Sequence, residues 1–277
     1  MTDDRRLITH DRLLATDYWL LATAALWFLL VFWTARGLAP LLPGPAALGV
    51  LGSALLTVLA TGPLEYVVGR LDWPDLRPWV LLGLIGVAGL VANVWLTARG
   101  QPGLASLGLL LGVIPAGVLI GRYALVDRDF LLIVTVLYII VDAYSVFFGP
   151  TQAIIQRGGP LLSLLTVRFP ILGTERIASL VGAADFLVWA ACLQAAHRFA
   201  FPYRLSFAAL SLGLVGSAVV SVALQRSVPA LPLMMLAYLL VNAGQFEWRK
   251  RSLWALAGGL LAVVLVVGVV VRTLLLR

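Results

Sequence analysis

The feature that most limits what this chain can become is the recurrence of apolar runs about 20 residues long, broken only by short stretches rich in proline, glycine or charge. A soluble fold would have to cover such runs with a polar exterior. The means are missing, because 61% of residues are hydrophobic and 12% are charged, with a mean hydropathy of +1.01. A soluble domain carries about twice that share of charge. The sequence therefore specifies an integral, multi-pass membrane protein.

Reading the runs at bilayer length places nine spans at 18–35, 46–68, 79–98, 104–120, 130–148, 177–196, 205–224, 231–244 and 253–275. All nine are expected to be helices. Lipid offers backbone groups no other partner, and the runs lack the alternation of a barrel strand. Connections fall at Pro40 and Pro43, from Asp72 to Pro78, from Gly100 to Gly103, from Gly149 to Pro160, at Pro202, and from Ser227 to Pro229. An all-α polytopic bundle in three stretches follows: 1–129 with about four spans, 130–245 with the chemically informative residues, and 246–277 with the last span. Residues 1–16 are charged, and the run after them ends without a small-residue cleavage site, so it reads as a retained span.

The net charge of +7 comes from arginines and lysines scattered between the runs, a pattern that suits anionic headgroups and not nucleic acid. Counted by face, they favour the N-terminal side and put the N-terminus in the cytoplasm. The lone cysteine, Cys192, excludes an intrachain disulfide and reads as a small buried hydrophobe. With His10 and His197 as the only histidines, neither a histidine zinc site nor a Ser-His-Asp arrangement is expected, and no cofactor or metal is called for. Glu65 is placed to reach Arg70, Asn93 and Asn242 to bond across helices, and Gln194 and His197 to approach a watered interface.

Ionisable groups inside a bilayer are costly and mark function, so two carboxylates that interrupt apolar runs stand out. Asp142 lies seven residues before Gly149, roughly 10 Å at the helical rise, and Asp185 lies nine after Arg176, roughly 13 Å. On consecutive spans their depths match. The Ala178-x-x-x-Gly182 spacing is expected to let helix backbones approach. Two carboxylates in a low-dielectric site share a proton, which is the apparatus of aspartic proteolysis: one draws a proton from water while its protonated partner polarises the scissile carbonyl. The same residues allow two other readings, in which each aspartate pairs separately with a neighbouring helix or both relay protons in a transporter. A third feature, Pro229-Ala230-Leu231-Pro232, opens the eighth span on the same face as the loop between the aspartates.

In order and context these three features resemble the presenilin and signal peptide peptidase family of intramembrane aspartyl proteases, marked by Tyr-Asp, Gly-x-Gly-Asp and Pro-Ala-Leu on separate helices. Here they stand as Val141-Asp142, Gly182-Ala183-Ala184-Asp185 and Pro229-Ala230-Leu231, within about 130–244. Val141 replaces the usual tyrosine and Ala184 the second glycine. The family places its first aspartate on the sixth of nine spans, whereas Asp142 falls on the fifth here, and one span follows the Pro-Ala-Leu helix. The resemblance implies a presenilin-like bundle in a bacterial or archaeal plasma membrane, Asp142 and Asp185 as the catalytic pair, and Gly182, Ala184, Pro229, Ala230 and Leu231 around the substrate. Membrane proteins or signal-peptide-like segments would be the substrates, with no partner subunit indicated. The alternatives are a proton-coupled transporter and a catalytically silent scaffold of the same fold.

Between the aspartates, Leu165, Val167 and Phe169 alternate with Thr166 and Arg168 before Pro170, which reads as a short edge strand. A helical substrate hides its scissile carbonyl in its own hydrogen bonds. The strand around Val167 is therefore expected to pair with an unwound substrate segment, so that proline at Val167 would impair cleavage more than folding.

Overall fold

A computed structural model describes residues 3–42, 46–71, 73 and 76–246. Five long helices come first: α1 (Asp3–Leu38), α2 (Ala46–Val68), α3 (Leu76–Ala98), α4 (Pro102–Leu119) and α5 (Arg128–Phe147). Short helices α6 (Pro150–Arg157) and α7 (Pro160–Leu165) lead into strands β1 (Thr166–Pro170) and β2 (Ile177–Gly182). Helices α8 (Ala183–Arg198), α9 (Tyr203–Leu224) and α10 (Ala230–Asn242) complete the described chain. Among the described residues six helical stretches are long and apolar enough to cross a membrane, as a multi-pass protein requires. The expected span at 253–275 lies outside the described residues.

Most boundaries fall within a few residues of those read from hydropathy, because lipid-length runs leave little choice. The run at 177–196 differs. Its first six residues form β2, and the helix starts only at Ala183. Ile177 and Val181 are β-branched, and β1 supplies the backbone partners that a helix would otherwise provide. Next to lipid neither face of a short strand needs polar residues, so Ile177–Gly182 reads as a continuous apolar run that periodicity cannot separate from a helix. Ala178 and Gly182 are consequently strand residues, and their spacing has no part in helix packing.

Close helix approach is supplied elsewhere. A methyl group at Gly117 would overlap the Leu187 carbonyl, and one at Gly121 the Ala191 carbonyl, so α4 and the helical turn that follows it (Ile120–Ala124) lie directly against α8. Gly89 and Gly108 meet in the same way between α3 and α4. In lipid the apolar side chains gain little by leaving their solvent, so tight van der Waals contact at small residues decides which helices pair. Helix α8 is the centre of the bundle, with every residue from Val188 to Ala196 no more than 2% exposed. Helices α2, α4, α9 and α10 surround it, so the N-terminal and later stretches share one core.

Candidate functional site

Asp142 projects from α5 near its C-terminal end, one turn beyond Ile139, where α5 packs against α10. Helix α10 begins with Pro229 at its N-cap, a residue without a capping side chain, and Pro232 has no N–H to offer. Among the few donors of that first turn, Leu231 N–H donates to Asp142 Oδ2 at 3.1 Å. The carboxylate of one helix thus caps the N-terminus of another, where the helix dipole favours negative charge. Pro229 and Leu231 are buried and Ala230 is half-buried, so the motif shapes the wall beside Asp142.

Asp185 stands in the first turn of α8 and accepts the Gly182 N–H through Oδ2 at 3.0 Å. This bond pins the carboxylate at the junction where the strand ends and the helix begins. Asp142 and Asp185 lie within electrostatic reach of each other, brought together from residues far apart in sequence. Helix α10 bridges them. It packs on α5 at Asp142 and on α8 through the Tyr238 hydroxyl, which donates to the Cys192 carbonyl at 3.2 Å, and through Cys192 Sγ facing Met235 Sδ at 3.8 Å. Cys192 is free and buried, as a packing residue should be.

The two departures from the presenilin-type motifs, Val141 and Ala184, are on the protein surface. Val141 is 53% exposed on the outer face of α5, and Ala184 is also exposed. Gly182 has ordinary extended backbone, and a methyl group there would meet only the Asp185 carboxylate, at 3.2 Å.

The strand expected around Val167 forms, but it is not the open edge. Val167 is fully buried and pairs with Val181, and Phe169 pairs with Ala178. On the far side of β1, Ser106 Oγ of α4 accepts the Arg168 N–H at 3.0 Å and donates to the Arg168 carbonyl at 3.2 Å. Asn93 Nδ2 donates to the Leu164 carbonyl at 2.9 Å, and Arg168 donates to Thr97 Oγ1 at 3.2 Å. The hairpin turn is tied down as well, with Leu172 N–H donating to Ser53 Oγ at 3.0 Å and Gly173 N–H to the Ala39 carbonyl at 2.8 Å. Both edges of β1 are therefore occupied, and proline at Val167 would disrupt the fold itself. The outer edge of β2 receives no hydrogen bond from another described element, and it runs straight into Gly182 and Asp185. Ser106, a polar residue inside an apolar run, was the sequence signal for this arrangement.

Other polar expectations divide. Asn242 bonds across to Ser206, and Asn93 to the segment before β1. Glu65 does not reach Arg70: five residues apart, they are turned about 140° from each other around the helix. Glu65 is fully buried with both carboxylate oxygens unpartnered, whereas Arg70 is exposed over the rings of Tyr66 and Tyr203. Gln194 reaches the end of the bundle, donating to the Leu71 carbonyl just past α2 at 3.3 Å, but it is fully buried and the helices around α8 shield it from water. Among the described residues no group of three histidine, cysteine or acidic side chains is placed to hold a metal.

Set against known proteins, the chain matches no family model, no curated protein and no solved structure.

Proposed function

We propose that this chain is an intramembrane aspartyl protease of the presenilin and signal peptide peptidase type, hydrolysing peptide bonds in or near the membrane segments of other proteins. The observation that supports the reading is the bond from the Leu231 N–H of Pro-Ala-Leu to Asp142, with Asp185 near enough for the two carboxylates to influence each other electrostatically. In this reading the two carboxylates hold one proton between them. The ionised one takes a proton from water as the water oxygen bonds to the scissile carbonyl carbon. The protonated one donates to the carbonyl oxygen. The tetrahedral diol then collapses, the C–N bond breaks, and a proton passes to the departing amine. Neither a metal nor a covalent enzyme intermediate is required.

Substrate presentation falls to β2 in place of the strand around Val167. An unpaired strand edge within lipid is costly unless it lines a wet cavity or finds a partner. An unwound substrate segment added along Ile177–Val181 would satisfy that edge and carry its carbonyls toward Asp185.

A second reading has one observation of its own. Glu65, buried without a partner on α2, would be a third intramembrane carboxylate in a proton-coupled transporter. Purified protein in lipid nanodiscs, incubated with a helical reporter peptide and followed by mass spectrometry, separates the readings. Proteolysis predicts discrete cut products, suppressed by a hydroxyethylene transition-state mimic and absent with Asp185→Asn. Proton flux into liposomes that the mimic leaves intact, with no cut peptide, would establish transport instead.

A further inference from the structure

At the end of the bundle that carries the α4–α5 and α8–α9 connections, several arginines lie over aromatic rings and are tied to backbone carbonyls. Arg122 lies 4.5 Å from the Trp79 ring and donates to the Trp73 carbonyl. Arg128 lies over Phe201 and donates to the carbonyls of Phe199 and Gln245, while Arg198 binds those of Arg122, Leu125 and Val126. These donors are committed to holding loops in place. Arg70 and Arg204 differ. Among the described residues neither guanidinium donates a hydrogen bond or pairs with a carboxylate, and both are exposed.

These two arginines border a cavity of about 310 Å³, lined also by Tyr66, Pro202, Tyr203 and Leu205. No carboxylate lines it. Tyr203 donates its hydroxyl to the Tyr66 carbonyl at 2.8 Å, which fixes both rings as rigid walls, and Arg70 lies 5.4 and 5.6 Å from their centres. Height in the membrane is set by the flanking spans. Arg70 lies two residues past the span that ends at Val68, and Arg204 is the second residue of the span that starts at Tyr203. The cavity is thus at headgroup level, where tyrosine rings and arginines sit naturally. Leu205, 59% exposed beside it, continues the surface toward the acyl region. The first turn of α9 has no capping side chain, so its N–H groups add to the positive field of the two guanidiniums.

We infer that this cavity binds a phosphate group, presented by an anionic phospholipid of the surrounding leaflet. Two uncommitted guanidiniums supply charge-assisted donors to phosphate oxygens, and the tyrosine walls hold one of them in place. The site lies at the start of α9 and the end of α2, so lipid binding there clamps two helices that both pack on α8.

The test uses the purified full chain in mixed micelles with phosphatidylglycerol or phosphatidylcholine, with retained lipid counted by native mass spectrometry. Inorganic phosphate is assayed in parallel by thermal shift. The wild type is expected to retain phosphatidylglycerol over phosphatidylcholine. The doubly substituted R70Q/R204Q chain should lose that preference, a drop of about 10- to 30-fold for two interfacial arginines. Arg226→Gln, at the opposite end of α9, should leave it intact. Both cavity arginines are exposed and only the stacking of Arg70 on two rings is lost, so the double variant should unfold within a few degrees of the wild type in the absence of lipid, which separates loss of binding from loss of fold. Undiminished phosphatidylglycerol retention by R70Q/R204Q would overturn the inference. Stabilisation by inorganic phosphate that needs the two arginines, without any lipid preference, would overturn the lipid as its source.

Discussion

Replacing Asp142 in two ways separates its structural work from the chemical work proposed for it. The carboxylate accepts the Leu231 N–H at 3.1 Å and so caps the start of α10. Asparagine keeps an acceptor oxygen of the same reach, whereas alanine removes it and leaves the amide of a buried residue without a partner. A helix N-cap contributes about 0.5–2 kcal/mol, and a hydrogen bond to a charged group about 1.5–3 kcal/mol. Asp142 is half-buried, so water recovers part of the loss. Asp142→Ala is therefore expected to destabilise the protein by ~1–2 kcal/mol, a fall of a few degrees in unfolding temperature for a chain of this size. Asp142→Asn should remain close to wild type. Neither variant can exchange a proton with water, and general acid–base catalysis is typically worth ~10²–10⁴-fold, so both should lose reporter cleavage by at least that much. Thermal unfolding and peptide cleavage, measured on the same detergent-purified samples, check the two halves. Equal unfolding temperatures for the Ala and Asn variants would refute the capping role. Wild-type cleavage by Asp142→Asn would refute the chemical one.

Ser106→Ala leaves both the N–H and the carbonyl of Arg168 unpartnered; a loss of ~1–3 kcal/mol in unfolding free energy is expected, with faster amide hydrogen exchange in β1. Gly117→Val forces a side chain into the Leu187 carbonyl and should cost ~1–3 kcal/mol or prevent folding, while Gly216→Ala, which meets open space inside α9, should leave the unfolding temperature unchanged or raise it slightly. Glu65→Gln should leave reporter cleavage at the wild-type level, because among the described residues the Glu65 carboxylate is hydrogen-bonded to neither aspartate nor any other group; loss of cleavage in a stably folded Glu65→Gln protein would bring α2 into the reaction.

Hydropathy carried the helix positions well, since a bilayer fixes span length almost independently of tertiary structure. The residues 46–68 form α2 with the expected bounds. Asp142, Asp185 and Pro229 to Leu231 were visible because charge and paired prolines are costly interruptions of an apolar run. What could not be read was pairing. Ile177–Gly182 is as apolar as a span, and only contact with β1 makes it a strand. The Val167 segment was legible as a strand, but which edge stays open depends on Ser106, over 60 residues away in sequence. Glycines were similarly ambiguous: spacing pointed to Ala178 and Gly182, whereas packing uses Gly117 and Gly121, because close approach is a property of two helices. Glu65, and the shielding of Gln194 from water, were missed for a related reason, since a one-dimensional reading cannot tell which face of α2, or which helix, turns inward.

The most direct test of whether Asp142 and Asp185 work as one catalytic unit is a kinetic double-mutant cycle on reporter cleavage with Asp142→Asn, Asp185→Asn and the two together. A shared proton and a shared water predict that each single substitution abolishes cleavage as completely as the pair. Independent losses that multiply in the double variant, or cleavage surviving in either single variant, would contradict it.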